Sequence, residues 1–554
     1  MSIFKLPIHY NDKTKSINKD TITDINLEGT NSVYLKLFNP KTIMGTKLLD
    51  SWKQSYSHDK RFLTHSQSLY KTLNLSPYKQ LDTVTTEWAA FKEQTNFLEK
   101  FNYLDWEQLK FLNNNSLFLQ LSGINTIVSP IMTIILPIIL CIVPFILLKI
   151  RNPSLTLEQY YVMLKHILTK HPLGKLLEFR TATSKQRCYI VGSLLIYLFQ
   201  IYQNIKSTYQ FYQNTQSIKK LLNTLKDFSE DTISKINAYL TVSKKYTTYM
   251  LFNNELTSHR DKLITLNSLL QNNTITLVSL GEHMKLFYQL YNDKAIHDTL
   301  EYALSFHGYL DNITGLQSLI KNKSINKCTY RKRNNKIVDN YYALLDSTNC
   351  VKNTNKLTHN FVITGPNASG KTTFLKSTLI NIILSQQIGY GFYKTAAINP
   401  YTYIHCYLNI PDTSNRDSLF QAEARRCKEI LDNIKDTKPT ETTFCIFDEL
   451  YSGTNPYEAV ASAQAFLSHL SQQKNVSFMI TTHYIELCNK LTETNTKNYN
   501  MKIIKKDDSI VYTYLLNEGI STIKGGVHVL EQLNYPKHII SKTKDNLSNS
   551  FIPG

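Results

Sequence analysis

The fold is decided by the stretch Phe361-Val362-Ile363-Thr364-Gly365-Pro366-Asn367-Ala368-Ser369-Gly370-Lys371-Thr372-Thr373. It starts as an apolar, strand-forming run, turns at its glycines, and continues into a helical pattern from Phe374 to Leu384. This is the G-x-x-x-x-G-K-[ST] pattern of a phosphate-binding loop (P-loop), in which backbone N–H groups face a phosphate chain. Lys371 is expected to reach the β- and γ-phosphates, and the Thr372 hydroxyl to ligate Mg²⁺. Since the helix also points its positive end at the anion, residues 365–373 predict nucleotide binding.

Two more strand-like runs end in residues that suit nucleotide chemistry. The run from Thr443 ends in Asp448 and Glu449, about 75 residues after the loop. Asp448 is placed to hold Mg²⁺ through its coordination shell, and Glu449 to orient and deprotonate the attacking water. The run from Val476 ends in His483, and a histidine at a strand end is usually structural. In this order along the chain it can instead contact the γ-phosphate, so Glu449 and His483 are predicted to be catalytic.

Two features between and after these runs have no chemistry of their own. Ser418 begins a helical pattern and is interpreted as an outward-facing helix N-terminus, which favours an anion. The alternative is an ordinary helix cap. A turn, Ser452-Gly453-Thr454-Asn455-Pro456, follows the acidic pair.

The composition is basic. The 554 residues include 62 Lys+Arg against 43 Asp+Glu, a formal net charge of +19. This charge suits nucleic acid or an anionic membrane surface and does not choose between them. The eight cysteines form no C-x-x-C pair, so neither a structural zinc site nor a disulfide framework is expected, and an intracellular, reducing compartment fits. The N-terminal residues lack an apolar core, so no secretory signal is expected.

An apolar region divides the N-terminal half. Residues 124–148 are uncharged and carry prolines every seven residues, at Pro130, Pro137 and Pro144. At about 1.5 Å per residue this run can cross a hydrocarbon core of ~30 Å, and membrane-spanning helices tolerate proline better than soluble ones. A second uncharged run, 188–202, is marginal in length. The alternative is a pair of fully buried helices in a soluble helical domain.

The membrane topology of these runs stays open. If both span, the segment between them lies outside, yet residues 149–187 hold eight Lys/Arg against two Glu. The positive-inside rule disfavours that arrangement. If only the first run spans, the basic flank and the nucleotide-binding part both lie on the cytosolic side. A bent insertion that does not cross is the third alternative.

The remaining chain is predicted to be largely helical before the P-loop. Apolar residues at helical spacing run from Leu37 to Trp52, and long helices in a hairpin or lever arrangement are expected over 203–323. The predicted domains are an N-terminal segment 1–34, a helical domain 35–330, an α/β domain 331–516 and a C-terminal segment 517–554.

Four motifs together resemble the MutS family of DNA mismatch-repair ATPases. Thr364–Asn367 with Gly370–Thr373 resembles the family's TGPNxxGK[ST]T. Ser418-x-Phe420-x-x-Glu423 resembles its STFxxE signature, Asp448-Glu449 with Gly453-Thr454 resembles DEx-GxGT, and Thr482-His483-Tyr484-x-Glu486-Leu487 resembles THYxEL. Further resemblances are Gly519–Thr543 to the family's C-terminal helix-turn-helix, Tyr342–Leu345 to a turn ahead of the P-loop, and Asn39–Gln67 to the start of its core (lever) domain.

The resemblance implies an α/β ABC-type P-loop ATPase domain at the C-terminal side, preceded by a mostly α-helical core or lever domain. It implies a dimer, of like or of unlike MutS-type chains, in which each ATP lies between one subunit's P-loop and the other's signature. Ser418, Phe420 and Glu423 would then face the partner's ATP, and Thr454 and Asn455 would line the dimer seam. ATP and Mg²⁺ are the implied cofactors, and DNA is the implied partner.

The departures from the family shape the functional hypotheses. The family's mismatch-reading and connector domains should precede the core, and only some 35 residues do. Its mismatch-wedging Phe-x-Glu has no counterpart beyond letter matches at Phe91 and Phe97. The first hypothesis is a dimeric ATPase that clamps DNA in mismatch repair or related DNA maintenance. The alternative is a membrane-anchored ATPase with a non-mismatch role. A transporter subunit fits less well, because Ser418 does not begin an LSGGQ signature.

Overall fold

The computed structural model describes residues 3–168, 172–176, 179–271, 275–332, 335–345, 350–408, 418–492, 495–506, 509–521 and 526–549. The chain forms two compact units. The first comprises residues 1–82, 234–259 and 301–554, and the second comprises residues 83–233 and 260–300. The N-terminal part is helical, as the sequence predicts, and the C-terminal part is an α/β domain with mixed sheets.

The helices before the α/β domain are α1 (Lys19–Asp24), α2 (Val33–Phe38), α3 (Ile43–Trp52), α4 (Lys60–Thr72), α5 (Leu81–Lys92), α6 (Phe97–Lys100), α7 (Ser116–Arg151), α8 (Leu157–Leu168), α9 (Pro172–Lys175), α10 (Ser184–Ser243), α11 (Met250–Leu270), α12 (Leu280–Asn292) and α13 (Lys294–Lys321). The later helices are α14 (Lys371–Gln387), α15 (Leu419–Lys435), α16 (Pro456–Gln472), α17 (Ile485–Lys490), α18 (Gly526–Gln532) and α19 (Lys537–Asn549).

The strands are β1 (Thr14–Ser16), β2 (Ser55–Ser57), β3 (Asn326–Tyr330), β4 (Lys336–Asn340), β5 (Asn353–Lys356), β6 (Asn360–Thr364), β7 (Tyr390–Gly391), β8 (Thr395–Ile398), β9 (Tyr403–Tyr407), β10 (Thr443–Asp448), β11 (Val476–Thr481), β12 (Thr496–Lys506) and β13 (Ser509–Glu518). The two short strands β1 and β2 pair with each other.

The larger sheet has the order β13-β12-β6-β11-β10-β9. Its neighbours from β12 to β9 are parallel, and β13 joins one edge antiparallel to β12. The central strands are almost continuously apolar and buried, as expected for strands that are covered on both faces. Because parallel strands end at the same edge of a sheet, Thr364, Asp448 and Thr481 are brought together there.

One core layer lies between this sheet and two helices. It is formed by apolar side chains that are nearly inaccessible to solvent, including Val362, Cys445, Phe447, Phe478 and Ile480 from the strands, Cys427 and Ile430 from α15, and Ala459, Ala463 and Leu467 from α16.

The second sheet, of order β5-β4-β8-β3-β7, mixes parallel and antiparallel pairs. Helix α14 contacts strands of both sheets, and 14 of its 17 residues are buried. This explains why the sequence after the P-loop lacks the one-sided apolar pattern of a surface helix.

The stretch from Leu37 to Trp52, predicted to be helical after a Pro-containing start, forms helix α3 after Pro40, and its first residues belong to α2. Helix α2 ends at Asn39, whose φ of 39° lies in the left-handed region, and Pro40 follows. A new helix then starts at Thr42, whose side chain accepts a hydrogen bond from Gly45 N. Asp311 of α13 fixes this start, because its Oδ2 accepts from Thr42 N at 2.9 Å. The break therefore comes from local cap chemistry, which the apolar spacing alone does not show.

The second unit contains the two apolar runs, in α7 and in the first part of α10. Both helices are long and apolar enough to cross a membrane, by length and composition. None of the most apolar 18-residue stretch of α7, and 11% of that of α10, is buried. The alternative of two fully buried helices in a soluble domain is therefore wrong for this chain.

The predicted domain boundaries at residues 34, 330 and 516 stay predictions. Of the predicted C-terminal segment 517–554, residues 522–525 and 550–554 lie outside the described residues, and its described part holds the two helices α18 and α19.

Candidate functional site

The glycine-rich loop connects β6 to α14, as the sequence predicts. Gly370 is the N-terminal cap of α14 and has a φ of +93°, a conformation that other residues rarely adopt. A Cβ at this position would also lie 3.0 Å from Cδ1 of Tyr514. Both the backbone angle and the close approach of the ring therefore require glycine here.

Lys371 is buried at the start of α14, with 5% of its surface exposed. Its Nζ donates to two carbonyl oxygens of the loop, at 2.9 Å from Gly365 and 3.3 Å from Pro366. Burial lowers the pKa of Lys371, and the carboxylates of Glu449 and Asp448 oppose that change. The ammonium group is thus held inside the loop, at the position from which it can bind an anion.

Thr372 and Asp448 lie in direct contact, although 75 residues separate them. The Thr372 hydroxyl donates to Oδ2 of Asp448 at 2.8 Å. The other carboxylate oxygen accepts from the hydroxyl of Thr481, at the end of the neighbouring strand. Register explains the contact, because Asp448 pairs with Thr481 across β10 and β11. The three oxygen-bearing side chains supply the type of ligand that Mg²⁺ prefers.

Glu449 and His483, the two predicted catalytic residues, are joined by a hydrogen bond. His483 Nε2 lies 2.8 Å from Oε1 of Glu449, and Lys371 Nζ lies 3.9 Å from the same oxygen. The hydrogen bond from His483 lowers the pKa of Glu449; burial opposes this, and the charges of His483 and Lys371 add to it. Glu449 has a φ of 52°, and its N–H donates to Thr481 O at 3.1 Å. The carboxylate is therefore ionised at neutral pH and held in one place.

A cleft of about 580 Å³ opens beside these residues. It is lined by loop residues 367–373, by Phe374 and Glu449, and by side chains from outside the motifs that include Tyr341, Tyr342, Leu345, Met501 and Tyr514. Ser369 Oγ is buried here and has no hydrogen-bond partner among the described residues. The cleft thus joins a polar cradle to an aromatic and apolar wall.

Sequence reasoning missed part of this wall. Tyr342 and Leu345 lie in the turn whose resemblance to the family gave a signal. Met501 and Tyr514 gave none, because they reach the loop only through the pairing of β12 and β13. Such pairing over long sequence distances is not visible in local spacing.

The predicted signature begins at an exposed helix start. Ser418 Oγ accepts from Gln421 N, and Gln421 Oε1 accepts from Ser418 N, which forms a capping box at the start of α15. Phe420 packs against the core, with its ring 5.5 Å from that of Tyr451. Residues 409–417, directly before Ser418, lie outside the described residues. Within the described residues, Ser418 makes no hydrogen bond to the P-loop of its own chain.

Glu423, the third signature residue, is buried, with 2% of its surface exposed. One carboxylate oxygen accepts from the N–H and the hydroxyl of Ser452, both at 3.0 Å, and the other accepts from Gly453 N at 3.2 Å. Gly453 lies so close to α15 that a Cβ there would be 2.7 Å from Leu419. The contacts of Glu423 are therefore with the turn of its own chain.

The predicted seam residues follow this turn. Thr454 Oγ1 donates to Glu458 at 2.6 Å, and Asn455 caps α16 by accepting from Glu458 N at 3.0 Å. Tyr457 next to them is 85% exposed. Glu423 links this turn to the start of α15, and the two segments form one continuous surface that faces solvent.

Comparison with known proteins relates the C-terminal part of the chain to one family. Residues 361–550 match the family model of MutS domain V. This part of the chain is therefore similar to the MutS family. A DNA mismatch repair protein MutS from Bacillus cytotoxicus is 31% identical over 193 residues, which is 34% of this chain and 21% of that relative. The MutS of Bacillus mycoides is 29% identical over a stretch of the same length. The matched stretch thus spans about a fifth of the length of these MutS relatives.

We expect Glu423→Ala to lower the free energy of unfolding by about 1–3 kcal/mol, because it leaves buried N–H groups of the turn without an acceptor. Denaturant unfolding of the full chain would measure this change. Glu429→Ala, on the exposed face of the same helix, is the matched control and should change stability by less than about 0.5 kcal/mol. Equal effects of the two substitutions would contradict the role given to Glu423.

Proposed function

We propose that the chain is a MutS-type ATPase that binds ATP with Mg²⁺ in the cleft beside residues 365–373 and hydrolyses it. The observation that carries the proposal is the convergence of Lys371, Thr372, Asp448, Glu449 and His483 on one edge of the sheet. These side chains come from three separate motifs and serve no common purpose in packing. The domain would then be an ABC-type P-loop ATPase domain, with the helices before it as a core or lever.

The residues present fit both cofactors. Lys371 and the unpartnered hydroxyl of Ser369 would bind phosphate oxygens, while the wall with Tyr342 and Tyr514 offers aromatic surface for a base. Thr372 and Asp448 would hold Mg²⁺, which when bound neutralises charge on the phosphates. Glu449 would orient the attacking water and accept its proton. His483 keeps Glu449 ionised and placed.

A dimer is part of the proposal. Ser418 lies at an exposed helix start and makes no hydrogen bond to its own loop within the described part, so it is free to face the ATP of a second MutS-type chain. The exposed Tyr457 and the turn with Thr454 and Asn455 would form the seam. Glu423 would act as a positioning residue that makes the helix start and the turn move together.

DNA is the proposed partner, in mismatch repair or related DNA maintenance, within a reducing intracellular compartment. The MutS relatives are named as DNA mismatch repair proteins, and the charge of +19 suits a polyanion. The alternative of a non-mismatch role is not favoured by these comparisons. Membrane contact is a separate question, which the second unit addresses.

The catalytic assignment predicts different losses for two variants. Lys371→Ala should abolish ATP binding, because a buried cation that faces the phosphates is removed. Glu449→Gln should retain binding but lower the turnover number by about 100-fold or more, because the amide cannot accept a proton. Equilibrium binding of a fluorescent ATP analogue and phosphate release would measure the two effects.

Matched controls for these variants lie on the surface outside the four motifs. Lys394→Ala removes an exposed lysine, and Glu429→Gln changes an exposed glutamate in the same way as the test variant. Both should retain the parent activity. Hydrolysis by Glu449→Gln near the parent rate would overturn the role of Glu449 as the base, and ATP binding by Lys371→Ala would overturn that of Lys371.

The shared site predicts that two inactive variants restore each other. Ser418→Asp still caps the helix but places a negative charge against the partner's phosphates. It should be inactive alone, as should Lys371→Ala. An equal mixture should recover about a quarter of the parent rate, since half of randomly formed dimers carry one intact site. A mixture no more active than its parts would contradict a site shared between two copies of this chain.

DNA binding should be measured with matched and mismatched duplexes across a salt series. We expect both duplexes to bind at low salt, with affinity falling linearly on a log–log plot as phosphate contacts are replaced by counterions. We expect equal affinities, because no mismatch-wedging motif is apparent. A clear preference for the mismatch would contradict that expectation, and no binding at low salt would overturn the proposal of DNA as the partner.

A further inference from the structure

Helices α7 and α10 pair as an antiparallel hairpin, and their polar groups face each other. The Tyr197 hydroxyl donates to Thr133 O at 2.8 Å, and Asn204 Nδ2 donates to the Thr133 hydroxyl at 2.8 Å. The Thr208 hydroxyl donates to Thr126 O at 2.7 Å. In these pairs the residue number increases along α10 as it decreases along α7, so the two helices are antiparallel. We call residues 116–151 and 184–212 the apolar hairpin.

The contact between the two helices has a seven-residue repeat. On α10 the seam is formed by Ile190, Tyr197 and Phe211, which are buried, and by Asn204 between them. Successive members are seven residues apart, as in the seam of helices that wind around each other. The repeat shows that these two helices are built to pair with each other.

The outer faces of the hairpin are apolar and uncovered. On α7, Ile134, Ile135 and Leu136 are 47%, 41% and 46% exposed, although successive helix residues point about 100° apart. On α10, Leu195 and Ile196 are 60% and 71% exposed. Exposed apolar side chains therefore point in several directions on residues 134–139 of α7 and 195–199 of α10, while Gln200 and Gln203 further along α10 are exposed and polar.

The distribution of exposed apolar side chains indicates whether protein or lipid covers the hairpin. A protein groove, or a second copy of the chain, would cover one stripe of the hairpin and leave a polar face toward water. A helix lying flat on a membrane surface would also keep a polar face. Apolar surface that points in several directions on both helices matches immersion in hydrocarbon, where polar groups must find partners inside the protein.

The dimensions agree with a bilayer. The second apolar run, 188–202, continues without a charge to residue 205, and these 18 residues would be about 27 Å long, against a hydrocarbon core of ~30 Å. Tyrosines flank it at both ends. Tyr189 is 65% exposed, and Tyr209 and Tyr212 are 61% and 60% exposed. Tyr189 and Tyr209 are about 30 Å apart along the helix, as in the aromatic belts at the two membrane interfaces.

The sequence between the two apolar runs is basic, since residues 149–187 contain eight Lys/Arg against two Glu. We call the described basic residues next to the runs the basic tip. Arg180, Lys185 and Arg187 lie directly before the uncharged run of α10, and Lys149 and Arg151 directly after that of α7. Clusters of this kind bind anionic lipid headgroups.

We propose that the apolar hairpin inserts as one unit into a lipid bilayer, with its basic tip at anionic headgroups. Both apolar runs then enter the membrane together, because they are joined along the seam by Thr133, Tyr197 and Asn204. The proposal stands independently of ATP hydrolysis and of DNA binding.

Flotation of the full chain with vesicles tests the proposal. We expect the chain to float with phosphatidylcholine vesicles and more strongly when phosphatidylglycerol is added, and to stay bound in 1 M salt. The triple variant Ile135→Lys, Leu195→Lys, Phe199→Lys should lose at least about tenfold of the floated fraction, because charges in hydrocarbon are unfavourable. Gln213→Lys, Gln216→Lys, Ser217→Lys adds the same charge to α10 beyond the hairpin and should float like the parent.

A conservative probe guards against misfolding of the charged variant. Phe199→Trp places an indole in the exposed run, and its fluorescence should be quenched by lipids brominated on their acyl chains. Gln213→Trp should be quenched much less. Absence of flotation with both vesicle types, release of the parent by salt, or equal quenching of the two tryptophans would each overturn insertion. A lipid-free oligomer that the triple lysine variant dissociates, with no flotation of the parent, would assign the surface to a second copy.

Discussion

The candidate site depends on the parallel pairing of three strands that are far apart in sequence. Strands β6, β11 and β10 are neighbours, and their register sets Asp448 beside Thr481 and Thr481 beside Ile363. The strands end at one edge, so the side chains that follow them can only converge there. The hydrogen bond from Thr372 to Asp448 is the direct result. Any change in this register by one residue would turn the Asp448 side chain to the other face of the sheet.

The same constraint ties the site to the helical segments of its unit. Helix α14 starts at Lys371 and ends at Gln387, whose Nε2 donates to Trp52 O and Ser55 O, both at 2.8 Å. The Tyr34 hydroxyl donates to Oε1 of the same glutamine. Strands of two sheets also enclose α14. A shift of its first turn would therefore move the whole helix and displace these hydrogen bonds at its other end. The proposed nucleotide site at one end of α14 is therefore connected by this helix to hydrogen bonds about 25 Å away at its other end, since α14 has 17 residues at about 1.5 Å each.

The parts predicted from the sequence are those set by short spacing. The loop around Gly370, the strand end at Asp448, the position of His483 two residues after β11, and the apolar runs are each fixed by neighbours in the chain. The burial of Glu423, the wall with Tyr514 and the seam at Asn204 depend instead on contacts between distant segments. Glu423 illustrates this difference. Its motif resembles a signature that faces the partner's ATP, whereas its carboxylate accepts hydrogen bonds from Ser452 and Gly453 of its own chain.

The two units follow one rule with opposite results. In the cleft, Lys371 is buried against loop carbonyls and Glu449, and the buried hydroxyl of Ser369 has no partner among the described residues. These two groups suit a polar, anionic ligand. In the apolar hairpin, Thr133 and Asn204 satisfy each other inside the seam, and the outer surface is hydrocarbon. Both arrangements are unfavourable in water, since burying unpaired polar groups and exposing a large apolar surface each cost free energy. The polar or apolar groups that each surface leaves unsatisfied therefore indicate the chemistry of the ligand or solvent that it contacts.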